Sequence, residues 1–347
     1  MTEIAISTGT SSAKPLKWSD ITWPILQKYV FRLQVRIAKA ERKSKRGKVR
    51  ALQRLLTCSF AAKALAVKRV TSSSGGKTPG IDNVVWNSDR QKTRAIFSLK
   101  RRGYTPKPLR RIYIQKKLGS KTLRPLSIPC MLDRAQQALH LQSLEPLVEE
   151  WADPNAYGFR QKRSTHDAVE QCFIALSTRK SATWVLEGDI HKCFDTISHS
   201  WLENNIPMDK MILRKFLKAG FMERQQFYPT EFGCPQGSPI SPALMLMTLS
   251  GLERKLLPVK SYQKEREKIN VIAYADDFIL TAATKEILED RILPILHSAL
   301  NEVGLELSMK KTKITNIEDG FDFLGFHFRK YNGKLLIKPS KANIKKL

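Results

Sequence analysis

The amino-acid sequence predicts an α+β protein, with a body built on a small, largely antiparallel sheet and a basic helical extension in front of it. Three observations carry this expectation. Of the 347 residues 42% are hydrophobic, enough for two or three lobes around a substantial core and too many for a disordered chain. Short β-rich stretches alternate with helical ones without a repeated βαβ unit or an internal repeat, which argues against a doubly wound sheet. The 60 Lys and Arg residues outnumber the 32 Asp and Glu, leaving a formal charge of +28. That charge is spread along the chain rather than gathered in a tail, so a polyanion is the natural partner.

A Ser/Thr-rich start leads into two helical patterns, Trp23 to Ala40 and Lys48 to about Val70, joined by a cationic linker. In the second, Val49, Leu52, Leu56, Phe60 and Val67 recur near helical spacing, while Arg50, Arg54, Lys63 and Lys68 fall mostly off that stripe. Ser72–Gly80 is a loop by composition. It separates an extension, residues 1–75, from the body, residues 76–335, and residues 336–347 read as the start of a connection onward. Within the body, Arg111 to Gln115, Ala182 to Ile190, Asn270 to Ala282 and Phe321 to Arg329 have strand composition. A helix is expected from about Thr165, and an amphipathic one over Ala243 to Leu256, with Ser241 as its cap and Pro242 in the first turn.

Cys58, Cys130, Cys172, Cys193 and Cys234 stand far apart with no CxxC pair, so neither a disulfide framework nor a zinc site is expected. The first residues lack the apolar core of a secretory signal, and no apolar stretch approaches the roughly 20 residues that span a bilayer. The expectation is a cytoplasmic protein without a membrane partner.

The chemistry gathers on carboxylates. In Asn270 to Ala282 two apolar arms of strand length flank Asp276 and Asp277, a hairpin with its charge at the bend. A turn accounts for one aspartate, but adjacent like charges repel unless a cation neutralises them. Upstream, the strand Thr183 to Ile190 ends at Asp189. A strand end and a hairpin tip can meet at one sheet edge, and three carboxylates there are hard oxygen ligands suited to Mg²⁺. Two such ions held close together serve in-line phosphoryl transfer.

Tyr274-Ala275-Asp276-Asp277 resembles the signature of reverse transcriptases, and Asp189 with Phe194 and Asp195 resembles their first catalytic strand. Further blocks resemble group II intron reverse transcriptases, or intron maturases. They are Leu123–Pro129, Tyr157–Arg160 with Arg163–Ala168, Pro235–Gly237 with Ile240–Pro242, Lys311–Lys313 and Phe323–Phe326. The likeness runs from about Trp18 to the end of the chain, in the family's order. Two departures, Ser238 after Gly237 and Gln161-Lys162 in place of Pro-Gly, touch no metal ligand.

The resemblance implies a right-hand polymerase with fingers and palm, an RNA template (intron RNA), a DNA or RNA primer, and deoxynucleotide triphosphates. It implies two Mg²⁺ ions, with Mn²⁺ as a substitute, on Asp189, Ile190, Asp276 and Asp277. Phe194 would pack against the sugar of the incoming nucleotide and exclude a 2′ hydroxyl by a clash, and Gln236 would sit beside the nascent base pair. Lys116 and Arg124 flank a turn at Leu118-Gly119-Ser120 and would clamp the triphosphate, with Lys117 as the alternative to Lys116. Template or primer contacts would come from Tyr157, Arg160, Arg163, Pro235, Gly237, Lys311, Leu324 and Gly325, the last two in a strand whose glycine admits a backbone. His166 fits a helix N-terminus better than a metal site. Relatives continue into a helical thumb beyond the point where this chain stops, and without one the grip on primer and template is expected to be weak. A non-catalytic RNA-binding splicing cofactor and a retron or defence-associated enzyme are the competing readings; the N-terminal region and the block from Arg163 favour the intron branch.

Overall fold

The computed structural model describes residues 16–115, 122–257 and 266–345. Its helices open with α1 (Trp23–Arg42), α2 (Arg46–Cys58) and α3 (Phe60–Ser72), followed by α4 (Asp89–Ser98), the antiparallel pair β1 (Leu109–Gln115) and β2 (Leu123–Ile128), and the long α5 (Met131–Trp151). Then come α6 (Thr165–Leu176), β3 (Trp184–His191), α7 (Cys193–Thr196), α8 (His199–Asn205), α9 (Lys210–Leu217), β4 (Phe221–Glu223), β5 (Gln226–Tyr228), α10 (Ser241–Leu249) and α11 (Leu252–Leu256). The chain closes with the hairpin β6 (Asn270–Tyr274) and β7 (Asp277–Ala282), a helical stretch to Asn301, β8 (Glu306–Leu307), β9 (Lys313–Asn316), β10 (Phe321–Phe323), β11 (Phe326–Tyr331) and β12 (Lys334–Pro339). Among the described residues no helix is long and apolar enough to cross a membrane.

Helix α1 buries Leu26, Val30, Leu33, Ile37 and Ala40, an apolar stripe at helical spacing. The single helix expected over Lys48 to Val70 is two, because Ser59 takes an extended backbone; its N–H ends α2 on Leu56 O at 3.0 Å and its Oγ caps α3 by accepting Ala62 N at 3.2 Å. All three helices pack against α5, which is buried on nearly every side. The buried and half-buried amides at this junction are tied across helices: Gln34 Nε2 donates to Gln142 O at 2.9 Å, Gln142 Nε2 to Ala62 O at 2.9 Å, and Gln53 Nε2 to Ser143 O at 3.3 Å. Breaking any one strands a buried polar group, so the contacts fix how the helices sit on α5. One apolar core runs from Ile21 through α5 to Leu307; the loop at Ser72–Gly80 turns the chain without dividing that core.

The palm sheet has the order β6-β7-β3-β8, with β9 pairing β3 on the same edge as β8, and every pairing in it is antiparallel. A second sheet, β2-β1-β4-β5, contains one short parallel pairing, β1 with β4. The third is β10-β11-β12. Between the palm sheet and α6 lies a second core of Val185, Ile272, Ile279, Ala168 and Cys172, closed by Phe321 and Phe328, whose rings stack at 5.0 Å.

Three further expectations change. The helix over Ala243 to Leu256 breaks at Gly251 (φ 87), and α10 is buried all round rather than amphipathic. Ser241 does not cap it, since Ile240 holds that position and the Ser241 hydroxyl donates to Pro235 O at 2.8 Å. Leu324 (φ 50) and Gly325 (φ 86) form the tight turn between β10 and β11 rather than continuing a strand, the positive φ angles matching the twist of a two-residue hairpin. Residues 336–339, expected to begin a connection, are the second half of β12.

Candidate active site

Tyr274 and Asp277 close the β6–β7 hairpin, so Ala275 and Asp276 form its tip. Ala275 adopts φ 61, which alanine normally avoids. A neighbouring segment holds it there. Tyr157 N donates to Ala273 O at 2.8 Å and Ala273 N to Asn155 O at 3.0 Å, laying residues 155–157 along β6. Gly158 then passes so close to the tip that a Cβ on it would lie 2.1 Å from Ala275 N. A strained turn persists when its surroundings determine it this fully.

In the β3–β7 register Asp189 stands opposite Asp277. Directly opposed residues of an antiparallel pair project to the same face, with Cβ atoms about 4.5–5.5 Å apart, so the strand-end acid and the hairpin acids do meet at one sheet edge. Lys311 Nζ lies 3.0 and 2.9 Å from the two oxygens of Asp189. The turn carrying Lys311 is pinned there because Ser308 N donates to Asp189 O at 2.8 Å and Lys311 N to Ser308 O at 2.9 Å. Partial removal from water, and then the charges of Asp276 and Asp189, push the Asp277 carboxyl up to about 6, while Lys311 pulls it the other way. As a residue Asp277 is still exposed, so a cation can reach it.

Among the described residues no group of three or more His, Cys, Asp or Glu already has the arrangement of a metal site, and Lys311 occupies both oxygens of Asp189. The donor set nonetheless suits a hard divalent cation: carboxylates only, one of them with its pKa raised by burial and then by its neighbours' charge, and already drawing a cationic side chain.

Asp276 and Asp277 form one wall of a cleft of about 960 Å³. The same cleft gathers Arg124, Phe194, Gln236, Gly237 and Leu324. Phe194 sits on α7, just after Lys192 (φ 43) turns the chain out of β3. Its carbonyl accepts Cys234 N at 2.6 Å, and Gly233 N donates to Ile197 O at 2.8 Å, so the loop leading to Gln236 is built against α7. Ser127 N donates to Gln236 O at 2.8 Å, joining that loop to β2, where Arg124 is exposed.

Other expected contacts go elsewhere. The Tyr157 ring is buried in the second core. The Arg160 guanidinium is locked in an ion pair with Glu149 at 2.8 Å and donates to Ala156 O at 2.8 Å, with 9% of its side chain exposed. Both residues serve the fold, because bracing the hairpin consumes the groups that a template would need. Gly325 lies in its turn, against the Asn343 side chain, and the Ile190 side chain is buried. Arg163 is exposed and Pro235 half-buried. Lys116, Lys117 and the turn at Leu118-Gly119-Ser120 lie outside the described residues.

Sequence reasoning missed Phe159, Arg69 and Arg134, which also line the cleft. The Phe159 ring meets Phe194 edge-on at 5.8 Å; the motif around it gave a signal that went to its neighbours. Arg134 donates to Gly75 O at 2.8 Å and Pro129 O at 2.8 Å, fastening the Ser72–Gly80 loop to the cleft. Nothing in a chain this basic distinguishes such an arginine beforehand.

A helix-backed antiparallel sheet with acids at its edge, facing a basic cleft, is the palm of a right-hand polymerase. The family model described as reverse transcriptase (RNA-dependent DNA polymerase) matches residues 114–328, and that of the N-terminal domain of reverse transcriptase matches residues 18–99. The chain belongs to the reverse transcriptase family. Protein YkfC of Escherichia coli (strain K12) is 32% identical over 320 residues, covering 79% of this chain and 82% of that protein. Group II intron-encoded protein LtrA of Lactococcus lactis subsp. cremoris is 30% identical over 332 residues, 76% of this chain and 54% of LtrA, so the chain spans about half of LtrA's length. Telomerase from Candida albicans, solved with a fragment of telomeric RNA, superposes with a TM-score of 0.51 at 14% identity, covering 69% of this chain and 46% of that one; this likeness concerns the fold.

Proposed function

We propose that this chain is an RNA-directed DNA polymerase of the group II intron type, which adds deoxynucleotides to a primer 3′ end on an RNA template such as intron RNA. The observation that carries the reading is the cross-strand pairing of Asp189 with Asp277, beside Asp276, at the wall of a cleft that also holds Arg124, Phe194 and Gln236. Asp189, Asp276 and Asp277, with the main chain of Ile190, would hold Mg²⁺, or Mn²⁺ in its place. Bound there, two such ions supply charge stabilisation for the attacking hydroxyl and the leaving pyrophosphate.

The chain's own residues do the positioning. Phe194, buttressed by Phe159, presents a rigid ring to the nucleotide sugar, so that a 2′ hydroxyl collides and deoxynucleotides are preferred. Arg124 offers a forked contact to the triphosphate, and Lys116 a point charge. Gln236 is held by its main chain at the junction of fingers and palm, where the new base pair would form. Lys311 keeps Asp189 charge-balanced until a metal ion replaces it.

One observation favours a second reading, an RNA-binding splicing cofactor without chemistry: Lys311 already neutralises Asp189. Primer extension separates the two. The purified chain with Mg²⁺ and a primed RNA is expected to add deoxynucleotides, and an Asp276→Ala variant to lose at least 100-fold in rate while keeping its RNA affinity. A variant that extends as well as the parent overturns the site, and a parent that binds RNA but never extends establishes the second reading.

A further inference from the structure

On a face that shares no lining residue with the cleft, α2, α3 and α5 enclose a cavity of about 270 Å³. Its rim is cationic. Arg50, Arg54 and Lys63 line it, and among the described residues none of them has a carboxylate partner, whereas Arg101 is paired with Asp209. Four cations against one acid leave an uncompensated positive charge on the cavity lining, which suits a phosphate or another compact anion.

The floor is polar and buried. Gln136, 1% exposed, lines it, and its Oε1 has no hydrogen-bond partner; its Nε2 makes one long contact, to Lys100 O at 3.4 Å. His140, 5% exposed, lies beside it, and burial pushes the imidazole down to about 4, so the ring is neutral and offers one donor and one acceptor. Unpartnered amide oxygens recur on α5, at Gln137 and Gln142 as well as Gln136, so the orphan alone selects no ligand; what the cavity offers one is the His140 ring, which makes no hydrogen bond among the described residues. The side walls are apolar: Leu99, Leu139 and Met208. A flat heterocycle with an N–H edge, attached to a phosphate, matches apolar walls, an amide floor and a cationic rim together. The volume of about 270 Å³ falls just below the range of ligand pockets, ~300–1,000 Å³, which suits one base and excludes a duplex.

We infer that this cavity is a nucleotide pocket, taking the base against Gln136 and His140 and the phosphate against Arg50, Arg54 and Lys63. The nucleotide could be one unstacked from a bound RNA strand, as single-stranded RNA bases commonly are when proteins read them, or a free mononucleotide.

Cys58 lines the same cavity and is the one exposed cysteine of the chain's five. Its alkylation by an uncharged maleimide therefore reports occupancy. The full chain is labelled alone and with a single-stranded oligoadenylate, with the same length of RNA duplex, with AMP, or with ribose 5-phosphate. The expected result is labelling at least tenfold slower with oligoadenylate, little change with the duplex or ribose 5-phosphate, and loss of the protection in an Arg54→Ser, Lys63→Ser double variant. Protection should also fall in Gln136→Leu and persist in Asp276→Ala, which separates this pocket from the cleft. Equal protection by AMP assigns the free nucleotide; protection by the oligomer alone assigns the RNA strand. The inference is overturned if none of the probes slows labelling, if duplex protects as well as single strand, or if the double variant is protected like the parent.

Discussion

Gly158 shows how much one residue can settle. A Cβ there would lie 2.1 Å from Ala275 N and 2.8 Å from Tyr274 C, both backbone atoms that cannot step aside without moving the tip that carries Asp276. Gly158→Ala is therefore expected to reduce primer extension about 100-fold, the cost of misplacing a reacting group by about 1 Å, while the far-ultraviolet circular dichroism stays that of the parent. Unchanged extension would mean that the tip does not depend on this brace. At the same scale the meeting of the acids at one sheet edge was legible and the placing of their neighbours was not. Asp276 and Asp277 stood out as adjacent carboxylates between apolar strands, and Asp189 as the end of a strand able to reach that hairpin tip. Tyr157 and Arg160 were legible only as a motif, and residue type does not say whether an aromatic or cationic group faces the template or, as here, the core and Glu149.

Among the elements, α5 is the one against which α1, α2, α3 and α10 pack, and its buried carboxyl gives a pH signature. Burial pushes the Asp133 carboxyl up to about 6, against the hydrogen bond it accepts from the Tyr104 hydroxyl at 2.8 Å. In the folded chain Asp133 thus holds its proton over a range where the unfolded chain has released it. The folded state is favoured below about pH 4, and this contribution is lost as pH rises through about 6. A folded-state value of about 6 against an ordinary one near 3.9 corresponds to on the order of 3 kcal/mol. Asp133→Asn cannot ionise, so its stability relative to the parent should rise by about that amount between pH 4 and pH 7 in urea unfolding; a difference independent of pH would contradict the assignment. Element boundaries were less legible than element types. Apolar periodicity continues through Ser59 and through Gly251, so the pattern reads as one helix, whereas the breaks come from a serine cap and a left-handed glycine that the pattern does not register.

At the scale of the whole molecule, the extension and the body are one core. Val30, Leu33 and Leu56 pack in the same cluster as Leu139 and Leu144 of α5, and Gln34 and Gln53 are bonded to the α5 backbone. A chain begun at residue 73 should therefore lose its cooperative thermal transition rather than merely bind RNA less well; a sharp transition retained in that fragment would show the body to be self-sufficient. The α+β class was legible from strand composition without βαβ repeats, but the sharing of the core was not, because the composition of Ser72–Gly80 marks a loop and says nothing about what packs across it. The charge of +28 makes a second statement at this scale: affinity for RNA should fall steeply with salt through counterion release, and affinity indifferent to ionic strength would contradict it.

The account depends most on Asp189 leaving Lys311 to join Asp276 and Asp277 around a shared cation. Anomalous scattering from Mn²⁺ in crystals of the chain with a primed RNA and a non-extendable deoxynucleotide tests this directly. The account predicts manganese peaks coordinated by Asp189 together with Asp276 and Asp277, and the Lys311 ammonium withdrawn from Asp189. Manganese bound elsewhere, with Lys311 still holding both oxygens of Asp189, would contradict it.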